Sequence, residues 1–144
     1  MSTSDNNIPC GACSYDPTLQ ILGSWSLELP FEAVSSNALK GNGPGASGHK
    51  YRAVRDRFEA FIKANCAHIP AAVTRRRVFF TRYYAKPKRS FDRDNLVAGF
   101  KPIRDCLTRQ GLLVDDSEKY LESHYKQVRS DTNYVTIDIE DIAW

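Results

Sequence analysis

The spacing of apolar residues changes several times along the chain, and each spacing implies an element. At 24–29, Trp25, Leu27 and Leu29 alternate with polar residues, the period of a strand with one buried face, and Pro30 closes it. Tyr51, Val54, Phe58, Phe61 and Ile62 recur at helical spacing and predict an amphipathic helix over 49–67 with Arg and Lys on its outer face. Residues 77–85 hold Val78, Phe79, Phe80, Thr81, Tyr83 and Tyr84, a β-branched and aromatic run suited to a central strand, which Lys86-Pro87-Lys88 breaks. Leu96, Phe100, Ile103 and Leu107 fall on one face of a helix over 95–109, with Gly111 placed to cap it. Pro102 interrupts that face. Because an internal proline costs about 3 kcal/mol, the helix either bends there or starts afresh with Pro102 in its first turn. Two more strands are predicted at 120–128 and 134–139, the second from the alternation of Val135, Ile137 and Ile139.

Strand, helix, strand, helix, strand, strand implies an α/β (α+β) fold: a small mixed sheet of about four strands with two main helices packed on it. A chain of 144 residues suits one hydrophobic core. Residues 1–23 carry Pro9, Pro17 and several Ser, Asn and Gly, so they are expected to form a flexible extension ahead of a folded domain over 24–144. The glycine-rich stretch 41–48 is expected to be a mobile loop.

Net charge is only +3, but its distribution is uneven. Arg75, Arg76, Arg77, Arg82, Lys86, Lys88 and Arg89 stand together with no acid among them, whereas acids outnumber bases from Asp115 onward. Such a division suits a protein that holds a polyanion and also binds a cation. Of the basic residues, Arg76, Arg82, Lys86, Lys88 and Arg89 are the candidates for DNA phosphate contact, with Tyr83, Tyr84 and Phe91 beside them to pack on sugars or bases. No apolar run is long enough to span a membrane and no secretory leader is evident, so a cytoplasmic protein is expected.

The chemistry concentrates in Phe91-Asp92-Arg93-Asp94-Asn95-Leu96, followed by Lys101, Asp105 and Val114-Asp115-Asp116-Ser117. Asp92 and Asp94 sit two apart in an extended segment entering a helix, where their side chains share a face. Paired carboxylates raise one another's pKa unless a cation lies between them, and Mg²⁺ or its substitute Mn²⁺ removes that repulsion. Asp115-Asp116 follows a predicted helix end and precedes a strand, from which it can return to the first pair. A site of this kind fits phosphodiester hydrolysis, with Lys101 as a point charge for a phosphate or a departing oxygen and Asn95 as a helix cap or a hydrogen-bond partner for an aspartate.

These residues carry a resemblance. Asp92-x-Asp94-Asn95-Leu96, Lys101 with Asp105 four residues on, then Leu107, Gly111 and Asp115-Asp116-Ser117, is similar to the signature of the RusA-like Holliday-junction resolvases. The early strand ending at Leu29-Pro30, Ser36-Asn37 and the basic helix also match, so the resemblance covers about 24–139. It implies Mg²⁺-dependent homodimers that cut four-way DNA junctions symmetrically in recombination and repair, many of them encoded by phages or prophages. It also implies catalytic roles for Asp92, Asp94, Asp116 and Lys101, with Asp115 beside them at the metal. Val97-Ala98-Gly99 stands as a short insertion before the lysine, and the segment through Gly23 has no counterpart.

A different reading is a non-catalytic nucleic-acid binding protein whose acids only order loops, although Lys101 and the full acidic set exceed what binding needs. Cys10 and Cys13 have the spacing of half a zinc site, for which Cys66 and His68 are the available complement, but a lone pair is a weak signal, and all four cysteines, Cys106 included, are expected to be free thiols. His49, His68 and His124 are expected at the surface or in the core. Asp138, Glu140 and Asp141 are expected to solvate an edge strand.

Overall fold

Charge and apolar alternation together set the sheet. The computed structural model describes residues 8–9, 18–35 and 46–143. Its elements are β1 (Ile8–Pro9), β2 (Ile21–Leu29), α1 (Ala46–Asn65), β3 (Arg76–Tyr84), α2 (Arg93–Gly99), α3 (Lys101–Arg109), β4 (Leu121–Arg129) and β5 (Tyr134–Ile142). The sheet order is β1-β4-β3-β5-β2, mixed because β3 and β4 are parallel and the other pairs antiparallel. Four long strands with helices packed on them form the small α+β architecture that the apolar pattern predicts.

Alternate strand residues Leu27, Leu29, Val78, Phe80, Val135, Ile137 and Ile139 form one core with Phe58 and Ile62 of α1 and Leu96, Phe100, Ile103 and Leu107 of the second helical region. Pro102 does not kink a continuous helix there. Phe100 ends α2 and begins α3, and the proline falls in the first turn of α3, where its missing N–H is harmless. The Phe100 ring plugs into the sheet against Phe80 at 5.2 Å and Tyr125 at 5.9 Å between centroids. At the far end of α3, Gly111 adopts φ 78°, Leu112 donates to the Leu107 carbonyl and Gly111 to that of Thr108. That pattern ends the helix as the sequence predicts.

Several boundaries differ from expectation. Strand β2 starts at Ile21, and Ile8–Pro9 pairs with β4, so part of the expected extension belongs to the sheet. β4 offers an otherwise open edge on that side. The expected loop over 41–48 lies partly outside the described residues, and 46–48 belong to α1. Strand β5 is not an edge, and its acids do not solvate one: Asp138 accepts from Ser26 Oγ, Glu140 lies 3.4 Å from Arg77 and Asp141 2.6 Å from Arg76.

On the sheet face away from the helices, Arg77 and Glu122 are register neighbours, both 1% exposed, with Nε and Oε2 2.6 Å apart. His124 Nε2 lies 2.7 Å from the same oxygen, and its ring stacks on Phe79. A slip of one residue would strand these charges without partners in the interior, so the network enforces the parallel register. His124 is thus a core residue and His68 an exposed one, while the His49 side chain lies outside the described residues. No helix among the described residues is long and apolar enough to cross a membrane.

Candidate active site

The parallel strands β3 and β4 finish together, in the register Arg82 with Gln127 and Tyr84 with Arg129. The chain leaving β3 turns at once: Lys88 N–H donates to the Ala85 carbonyl at 2.9 Å, Ala85 N–H donates to Asn133 Oδ1 at 2.7 Å, and the Lys86-Pro87 bond is cis. This turn exposes Lys86, Lys88 and Arg89. Lys88 makes a surface ion pair with Glu32 at 3.4 Å, of the half-exposed kind that contributes 1 kcal/mol or less and yields easily to a phosphate. Arg129 joins these cations across a cleft of about 440 Å³ that Lys86, Ser130 and Asp131 also line.

Two of the five candidate phosphate contacts are interior residues. Arg76 is 1% exposed and spends its donors on Asp141 and on the carbonyls of Leu112 and Pro70. Arg82 is 3% exposed and donates through Nη1 to Arg89 O and Gln127 Oε1, both at 2.9 Å, with its guanidinium over the Phe91 ring at 3.5 Å. Burial lowers the Arg82 pKa from its ordinary value, against the opposing pull of Tyr84 and Glu32. Both arginines occupy helix-facing positions of β3, in the same alternation as Val78 and Phe80, and are turned inward. The exposed cations of this end therefore include Lys86, Lys88, Arg89 and Arg129. Arg129 carries no signal in the sequence because it stands apart from the basic block, one residue past the strand predicted over 120–128.

Asp92 caps α2 from an extended backbone, but Asp94 already sits in the first helical turn, so the two carboxylates do not lie in one extended segment as their spacing predicts. Both are exposed. Asn95 donates its backbone N–H to Asp92 Oδ1 at 2.8 Å and its side-chain amide to Oδ2 at 3.1 Å, so aspartate and asparagine cap and fix one another. Gly99 closes α2 where only a glycine fits, since a Cβ there would stand 2.2 Å from the Val34 carbonyl oxygen. Val97-Ala98-Gly99 therefore docks the end of α2 on residues 34–35, and Arg104 ties it further by donating to Val97 O and Tyr125 Oη.

Lys101 opens α3, exposed, with Nζ 3.5 Å from Asp105 one turn on. Tyr51 of α1 donates its hydroxyl to the other oxygen of Asp105. Burial raises the Asp105 pKa above its ordinary value, the negative charge of Asp116 raises it further, and Arg109 opposes both. Asp105, Asp115 and Asp116 line one open groove with Arg55, Thr108 and Arg109. The structure thus brings Asp116 together with Asp105, which Lys101 also meets. It does not gather Asp92, Asp94 and Asp116 into a cage: among the described residues no three His, Cys, Asp or Glu are grouped to hold one metal ion.

The donor set still fits magnesium, which takes oxygen ligands and is commonly held by one or two carboxylates with water and substrate phosphate completing its shell. Asp92 and Asp94, in one exposed turn, supply that number. A zinc site has less to stand on. Cys10 and Cys13 lie outside the described residues, Cys66 is a half-buried free thiol, and Cys106 is a buried one whose pKa is pushed up to about 12, first by burial. No protein-family model matches the chain, and no curated protein matches it in sequence.

Proposed function

We propose that the protein is a Mg²⁺-dependent endodeoxyribonuclease acting on four-way branched DNA, working as a homodimer that makes paired cuts in recombination or repair. The observation that carries this reading is an adjacency. An exposed turn with Lys86, Lys88 and Arg89 leads within three residues to an exposed turn with Asp92 and Asp94, at the end where two parallel strands finish. Crevices at the carboxyl ends of parallel strands are the usual ligand sites of open α/β sheets.

In this mechanism the cationic turn and Arg129 hold the phosphate backbone and set its register. Asp92 and Asp94 would hold the magnesium, with Asn95 fixing the first of them. Bound there, the metal would offset phosphoryl charge and lower the pKa of a coordinated water. Lys101 carries a compact positive charge that Asp105 steadies, suited to a departing oxygen. Asp116 and Asp115 would approach this centre from the groove beside Asp105, the substrate phosphate completing an arrangement that the free protein leaves open.

Symmetry supports the dimer: a four-way junction presents two equivalent strands, one chain carries one such site, and a two-fold pair would match its substrate. The test is incubation with synthetic four-way, flap and linear duplex DNA in Mg²⁺ or Mn²⁺. Paired symmetric nicks in the four-way substrate are expected. Intact four-way DNA under both metals, with binding retained, would favour a non-catalytic binding protein instead.

A further inference from the structure

The chain that joins the cationic turn to the carboxylate turn is fastened to the sheet by two side chains. Gln127 of β4 lies beside the backbone of Phe91 as another strand would. Its Oε1 accepts the Phe91 N–H at 3.0 Å and its Nε2 donates to the Phe91 carbonyl at 2.7 Å. The same Oε1 accepts from Arg82 Nη1 at 2.9 Å, and that nitrogen also donates to the Arg89 carbonyl at 2.9 Å. The Arg82 guanidinium covers the Phe91 ring at 3.5 Å. Arg82 and Gln127 are direct register neighbours, so the two strands present one composite clamp.

We infer that Gln127 and Arg82 are positioning residues that set the Asp92 and Asp94 carboxylates relative to the cationic turn; the inference rests on the nuclease reading proposed above. Both backbone groups of Phe91 are held, which fixes the position and the direction of the chain one residue before Asp92. Arg89 is held through its carbonyl, which leaves its side chain exposed for a phosphate. Apolar residues in these two positions would continue the rows of Val78 and Phe80 on β3 and of Leu121 and Tyr125 on β4 without burying a guanidinium or an amide, whose desolvation opposes folding. What the polar pair adds is a defined geometry for the segment between two functional turns. A displacement of about 1 Å at a reacting centre can reduce a rate on the order of 100-fold.

Gln127→Leu keeps volume and removes all three hydrogen bonds, and Gln127→Glu keeps the acceptor while opposing a carboxylate to the Phe91 carbonyl. Three readouts apply to the full-length chain: amide exchange over 89–95, Mn²⁺ binding by electron paramagnetic resonance, and junction cleavage. For Gln127→Leu we expect faster exchange at Phe91, Mn²⁺ affinity lower by roughly 10-fold to 100-fold, and kcat lower by on the order of 100-fold with KM near the parent value. Gln127→Glu, which retains part of the clamp, should fall between it and the parent, and higher Mn²⁺ should recover part of its rate. Parental exchange over 89–95 in both variants would overturn the inference. So would faster exchange with parental Mn²⁺ affinity and kcat. Should Gln127→Leu fail to fold, Gln127→Glu carries the same comparison. If the parent protein cuts no DNA, the nuclease reading fails on that result alone, whereas amide exchange still decides whether Gln127 holds the turn.

Discussion

Asn95 engages both carboxylate oxygens of Asp92, one through its backbone N–H at 2.8 Å and the other through its side-chain amide at 3.1 Å. An aspartate held this way keeps a fixed direction while each oxygen retains a lone pair for a ligand. Asp94, two residues on, is exposed in the first turn of the same short helix. The pair thus combines one fixed and one adjustable carboxylate.

If the proposed nuclease mechanism holds, Asp92→Asn, Asp94→Asn and Asp116→Asn should each lower cleavage by on the order of a hundredfold or more while junction binding persists, because each would lose a metal-binding charge and no phosphate contact. Asn95→Ala should give a smaller loss of rate and destabilise the fold by about 1 kcal/mol. Single-turnover kinetics, filter binding and urea unfolding measure rate, binding and stability in turn, and a parental rate in any of the three aspartate variants removes that residue from the site.

The cationic end should be readable in salt. Lys86→Ala, Lys88→Ala, Arg89→Ala and Arg129→Ala should each flatten the slope of log affinity against log salt by about one unit per lost phosphate contact. Arg76→Ala, by contrast, should leave that slope alone and lower stability, since its side chain is buried among Asp141 and two carbonyls. Equal slopes in all five variants would exclude this surface as the DNA site.

Removing one member of the buried Arg77 and Glu122 pair should be costly. Glu122→Leu or Arg77→Met alone is expected to destabilise by about 3 to 5 kcal/mol, since each leaves a buried charge without its main partner, and the double variant should recover part of that loss. Urea unfolding of the four proteins gives the coupling directly.

Cys106 offers a pH test. Its thiol is buried, donates to the Arg55 carbonyl at 3.2 Å, and has its pKa pushed up to about 12 from an ordinary 9.0. In the unfolded chain the thiol ionises at the lower value, so above about pH 9 the unfolded state holds fewer protons than the native state, and stability falls as pH rises toward 12. Cys106→Ala should flatten that alkaline decline. In the native protein Cys66 should react with a thiol reagent at pH 8 well before Cys106 does; equal rates would contradict the burial.

Regular alternation and helical spacing made the sheet, the helices and the glycine stop after α3 readable from sequence, because burial there follows periodicity. Charge alone places Arg76 and Arg82 at the surface, yet both share the alternation of Val78 and Phe80 and are buried with them. Gln127 was passed over for the complementary reason: its value lies in meeting Phe91 across 36 residues, a long-range contact with no local pattern. Asp138, Glu140 and Asp141 were read as an exposed edge because nothing in a single strand tells whether it has one neighbour or two. The contact of Asn95 with Asp92 is legible, since capping is local chemistry, whereas the entry of Asp94 into the helix is not, because the start of a short helix depends on its packing. The relation of this turn to Asp116 is not legible either, because it depends on how two short helices fold over the sheet.

Strands β3 and β4 run parallel, and the chain between them carries Asp92, Asp94, Lys101, Asp105 and Asp116. Parallel neighbours cannot be joined by a tight turn, so this long connection is demanded by topology before any chemistry is asked of it. Its exposed side chains are open to replacement while its buried ones and its overall span are not, since a large deletion would unpair the centre of the sheet. A protein built this way can change what it does to a substrate by exchanging letters in that passage, yet it cannot discard the passage and stay folded.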